Sequence, residues 1–157
     1  MARPQGVAGT RDSVPEQQPA GDPLRTYCPD LDQWPRSWAY EPRDVPSGVR
    51  LVECFTPFLR DLLMQPLSRT TLRRHRDSIW VLGGEVIRRL QTDGALRRTP
   101  VEQVVLALIG EDGGPLLSHR QSEAEQCRFD ATCRRLFRFL TAGPTTRGRW
   151  GSGGRQR

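Results

Sequence analysis

From residue 47 to residue 140 the apolar residues recur at steps of three and four, and nowhere do they alternate along a half-buried strand. This periodicity constrains the chain more than any other feature, because it puts the apolar side chains on one face of a helix. Four segments carry it. In residues 47–65, Val52, Phe55, Leu59 and Leu62 form the apolar line, with Leu51, Phe58 and Leu63 beside it. Pro57 lacks an N–H and is expected to kink or split this helix, with Thr56 capping the second half. Pro66 ends it. Residues 68–91 form the second helix. Ser68 is a natural N-cap, Leu67 and Leu72 are spaced as a hydrophobic staple, and Leu72, His75, Ile79, Leu82, Val86 and Leu90 follow on one face. Gly83 and Gly84 would weaken it by about 1 kcal/mol each, so a close approach of a neighbouring element is expected there. The third helix starts from Thr99 as N-cap, Pro100 at the first position and Glu102 as capping-box partner. Val101, Val104, Val105 and Leu108 face inward and Gly110 stops it. After a turn-like stretch, residues 111–117, Ser122 and Glu125 open the fourth helix. It runs to Leu140, burying Phe129, Cys133, Leu136, Phe137 and Leu140.

Ahead of these lies "DQWPRSWAYEPRDVP". Its three prolines favour extended backbone, and Trp34, Trp38 and Tyr40 are read as packing over an open end of the bundle. The other reading is a stacking platform for bases. Both ends are poor in apolar surface. Residues 1–26 hold four prolines, three glycines and no aromatic residue; residues 141–157 hold five glycines and four arginines. Such segments bury too little to offset the entropy of ordering, and both read as disordered. The expectation is therefore an all-α chain with one domain at 27–140. It would be a compact bundle of about four helices, with an extended aromatic N-terminal segment and disordered tails.

The net charge is +6, which favours an anionic partner. All 24 basic residues are arginine, a bias that codon usage alone can produce, so the distribution matters more than the count. Residues 50–98 carry ten arginines against five acids, and residues 141–157 carry four against none. The cysteines at 28, 54, 127 and 133 lack short metal-ligand spacing, and read as buried or idle thiols. No metal and no cofactor is expected. No apolar run reaches membrane-spanning length and the first 23 residues hold no Leu, Ile or Phe, so a cytoplasmic protein without a membrane partner is expected.

On the second helix Arg69, Arg73, Arg76 and Trp80 recur at steps of four, three and four, beside the apolar line, and Arg74 adjoins them. A ridge of this kind suits phosphates along a groove, since guanidinium forks pair with phosphate oxygens or guanine edges. It equally suits the solvated side of any surface helix. His75 falls on the apolar line, with no carboxylate or nucleophile spaced to work with it, and reads as a core-edge histidine holding one hydrogen bond. His119 has no evident partner. The tail "TTRGRWGSGGRQR" is similar to arginine-glycine segments that bind nucleic acid loosely, or is a drifting terminus.

The stretch "FTPFLRDLLMQPLSRTTLRRHRDSIWVLGG" resembles the first two helices of the core-binding domain of tyrosine recombinases, the phage-integrase class. The residues that carry the likeness are Leu67, Ser68, Thr71, Leu72 and His75, with Ile79 at the next apolar place. The resemblance implies a helical clamp on DNA whose second helix faces the duplex, with Arg69, Arg73 and Arg76 as contacts. Strand joining by this chain alone is not expected, because the sequence departs from the family's catalytic pattern. The family's catalytic lysine has no counterpart, neither histidine is followed by Arg at the third position, and Tyr27 and Tyr40 precede the helices. Trp34-Pro35 and the Leu82-Gly83-Gly84-Glu85 centre also resemble small uncharacterised bacterial proteins.

The leading expectation is thus a non-catalytic DNA-binding domain, an accessory or a remnant of a mobile-element recombination protein. Arg69, Arg73, Arg74, Arg76 and Trp80 are its binding residues. Four phosphate contacts would give a log–log salt slope of about −3.6. The alternative is a protein-interaction module with an apolar patch around Trp38, Trp80 or Trp150. An enzyme has the least support, because no nucleophile–base set, metal cluster or phosphate loop is present in the sequence and no small-molecule substrate is suggested.

Overall fold

The computed structural model describes residues 21–117 and 122–142. His119, Trp150 and the arginine-glycine tail lie outside the described residues, as do residues 1–20. Six α-helices and no β-strand make up the described chain: α1 (Pro23–Tyr27), α2 (Trp34–Trp38), α3 (Asp44–Met64), α4 (Arg69–Thr92), α5 (Val101–Leu108) and α6 (Glu123–Thr141). The four longer ones correspond to the four periodic segments. None of them is long and apolar enough to cross a membrane.

The long helices α3 and α4 form the centre. The buried face of α3 is Leu51, Phe55, Phe58, Leu59 and Leu62, and it meets Ile79, Leu82, Val86, Ile87 and Leu90 of α4. Each fully buried aliphatic or aromatic side chain contributes about 1.5–3 kcal/mol, so this seam dominates the stability. α6 runs back along α4. Arg135 of α6 donates to Gln65, just ahead of α4, and Thr132 meets His75. α5 lays Val104 and Val105 against α3.

Several expectations needed correction. Pro57 lies inside an unbroken α3. It sits on the exposed side, where water can serve the carbonyl it leaves free, and Thr56 donates its hydroxyl to the Val52 carbonyl at 2.7 Å instead of capping a second helix. Thr99 does not cap α5. Its hydroxyl lies 3.5 Å from the Ala95 carbonyl in the preceding single turn, and Pro100 occupies the cap position without a side-chain bond. The aromatic segment is helical, not extended. Pro35 sits in the first turn of α2, where a missing N–H costs nothing, and turns Trp34 and Trp38 into the core. The segment expected to be a tail reaches order earlier than residue 27: Asp22 caps α1, and Leu24 is buried.

Gly83 of the α4 glycine pair makes the expected close approach, although the neighbour is a ring rather than a helix backbone. A Cβ at Gly83 would lie 2.2 Å from Trp38 Cζ2. The Trp38 indole N–H donates to the Trp80 carbonyl at 2.9 Å, which fixes α2 across the middle of α4. At the far end, Gly110 and Gly113 exchange backbone hydrogen bonds of 2.8 and 3.2 Å, closing the turn expected over 111–117. Gly113 has φ +129°, which only glycine adopts without strain, and its Cα faces Asp130 of α6. Asp130 accepts from the Gly114 N–H and from the Gln126 amide, tying the turn to α6.

Candidate nucleic-acid interface

Ser68 accepts the Thr71 N–H at 3.2 Å, so α4 starts where its cap dictates and Arg69 is its first residue. Arg69 and Arg73 are one turn apart and both exposed. Neither has a carboxylate partner among the described residues. Arg74, also exposed and without such a partner, turns to the side that faces α6.

Arg76 departs from the expected ridge. It donates to the Tyr27 carbonyl at 3.1 Å and pairs with Asp77 at 3.1 Å. Tyr27 in turn donates its hydroxyl to the Leu72 carbonyl, so α1 is strapped to the first half of α4 through the residue expected to meet DNA. Burial pushes the Tyr27 phenol up, so it stays a donor at neutral pH. Trp80 stays 42% exposed, but its indole N–H donates to Ser37 of α2 at 3.1 Å. The ridge thus divides into a free N-terminal part, Arg69, Arg73 and Arg74, and a second part, Arg76 and Trp80, that holds the small helices in place.

His75 is buried, and its Nδ1 lies 2.7 Å from the Thr132 hydroxyl. That hydroxyl is 3.3 Å from the Arg128 carbonyl, a suitable acceptor for its proton, so it accepts from an Nδ1–H. Burial first, and the Arg135 charge second, lower the His75 pKa from its ordinary 6.5. The ring is a neutral structural link between α4 and α6. The thiols are free. Burial pushes Cys28 and Cys133 up to about 12 and Cys54 to about 11, so these three stay protonated, and Cys127 is exposed on α6. Among the described residues no three His, Cys, Asp or Glu side chains gather as metal ligands.

Beside the ridge runs a half-open groove of about 710 Å³ between α2, α4 and the start of α6. Trp80 and Val81 line it from α4, Phe129 from α6 and Tyr40 from the segment after α2. Tyr40 is 68% exposed, whereas Trp34 and Trp38 are buried, so the packing reading holds for the tryptophans and not for the tyrosine. Arg74 and Arg128 share this groove although 54 positions separate them in the chain. Sequence reasoning missed Arg128. It lies on the polar side of the fourth periodic segment, and no local pattern indicates which helix that side adjoins.

The sequence matches no protein-family model and no curated protein, and the fold matches no solved structure. The fold and site define an all-α domain with an exposed arginine cluster at the start of its longest helix.

Proposed function

We propose that the chain is a non-catalytic DNA-binding domain of the core-binding type, which grips duplex phosphates with Arg69, Arg73 and Arg74. The observation that carries this reading is the arginine cluster itself: three exposed guanidinium groups within the first two turns of α4, with no carboxylate partner among the described residues. Unpaired charges keep their full attraction for phosphate, and the N–H groups at the helix start add to it. Arg76, already committed to Tyr27 and Asp77, is a supporting residue rather than a contact. Three contacts give a log–log salt slope of about −2.7 on duplex DNA, shallower than the −3.6 of a four-arginine ridge. Reversing Arg69 and Arg73 to Glu abolishes duplex binding while the helical circular dichroism spectrum is retained. Undiminished binding by that variant, or a slope near zero, refutes the reading.

A protein-interaction module is the second reading, and the exposed Tyr40 and Trp80 at the groove are what favour it. Association through such a patch persists at high salt, whereas phosphate-driven binding weakens. Sizing the protein with a candidate partner in low and high salt separates the two.

A further inference from the structure

The groove beside the arginine cluster carries a more specific proposal, which rests on the nucleic-acid reading. We propose that it takes one unpaired nucleotide of a single strand, with the base against Trp80 and Tyr40 and a phosphate on Arg74 and Arg128. Four observations lead there.

The first is charge. Three arginines and three acidic residues line the groove, but they are not equivalent. Arg88 is spent on Glu85 at 2.7 Å, and Asp77 is spent on Arg76. Arg74 and Arg128 have no carboxylate partner among the described residues. With Glu125, the third acid, set against these two, one positive charge is left for an anionic group. The second is aromatic surface held in place. The Trp80 indole is fixed by its bond to Ser37 and its backbone by the Trp38 indole, so a ring face is presented with little left to order on binding. Stacking of a base on such a face is tolerant of sequence.

The third is the carboxylate content. The Glu85 side chain is only 11% exposed and lies on the groove wall. A nucleobase brings amino donors that a carboxylate accepts, together with the phosphate that the arginines need. An acidic peptide such as polyglutamate would bring the anion but no aromatic ring to stack on Trp80 and Tyr40. The fourth is size. A cavity of about 710 Å³ is in the range that encloses a small-molecule unit. Bases inside a duplex are stacked on both faces and cannot enter, so the occupant is an unpaired nucleotide.

The test uses the full chain and fluorescence anisotropy with a short mixed-sequence single strand and the duplex of the same sequence. The readout is the ratio of single-strand to duplex affinity. Replacing Trp80 by Leu lowers this ratio about tenfold, the loss of one stacked base. Tyr40→Ala and Arg128→Gln change exposed side chains without touching the core, and each lowers the ratio as well. The proposal is overturned if these three variants leave the ratio unchanged, or if a polyglutamate peptide displaces the strand as effectively as unlabelled single strand. The Arg69→Glu, Arg73→Glu double variant separates this from the parent reading. If it loses duplex binding while the groove variants are silent, the duplex reading stands and the groove proposal falls. If the wild-type chain binds neither form, both fall.

Discussion

Asp44 is fully enclosed, with 0% exposure, and it is one of the few charges in the core. Its carboxylate accepts from the Tyr40 and Glu41 N–H groups at 2.9 Å each, from the Gln91 amide at 2.6 and 2.7 Å, and from Arg97 at 2.8 Å. It therefore joins the start of α3, the end of α4 and the turn that follows. Burial works to raise its pKa, but the Arg97 bond and the two backbone bonds together outweigh it and hold the carboxyl below its ordinary 3.8. Asp44→Ala leaves four donors without their acceptor. It is expected to cost about 3 kcal/mol in urea unfolding, toward the lower end for a broken buried pair because Arg97 can reach water. A loss under 1 kcal/mol would show that the cluster contributes little. Nothing in the sequence marks Asp44 out. It sits between prolines in a stretch that reads as extended, and its side-chain partners, Gln91 and Arg97, lie about 50 positions away.

At the scale of the element, the paired glycines of α4 give substitutions of opposite sign at adjacent positions. Gly83→Ala gains helix propensity but drives a methyl into the Trp38 ring, which cannot yield without moving α2; a net loss of about 1–3 kcal/mol is expected. At Gly84 the nearest Trp38 atom would be 3.6 Å from the new Cβ, an ordinary contact, so Gly84→Ala gains about 0.5–1 kcal/mol. Thermal melts of the two variants decide it, and a stabilised Gly83→Ala would contradict the packing described for Trp38. Helix ends divide the same way between local and distant causes. Ser68 and Ser122 cap the helices that follow them, because a cap is made within three residues. Pro57 leaves α3 unbroken because the effect of a missing N–H depends on whether that side of the helix meets water.

On the scale of the whole molecule, the α4–α6 seam makes stability depend on pH. His75 is held neutral in the folded state, with its pKa below the ordinary 6.5, whereas the unfolded chain takes up the proton at about that pH. The unfolded state thus binds more protons as the pH falls below 6.5. The stability is fully present above that pH and is lost on acidification until the folded-state pKa is passed. The urea midpoint should fall between pH 7 and pH 5. His75→Gln, which keeps a donor for Thr132, should flatten that fall, whereas an unchanged slope in the variant would assign it elsewhere. A second loss follows below pH 3.8, where protonation of Asp44 removes the contribution its depressed pKa represents.

The amino-acid sequence by itself determined the all-α class, the four long helices, the caps at Ser68 and Ser122, and the exposure of Arg69, Arg73 and Arg74. These follow from periodicity and from hydrogen bonds made within one turn, which are local properties of the chain. Tertiary structure alone decided that Arg76 is spent on Tyr27, that Tyr40 stays outside while its neighbouring tryptophans are buried, and that Arg128 joins Arg74 across a groove. Each of these depends on which elements pack side by side, and that is set by the summed burial of distant faces, a quantity no local spacing carries.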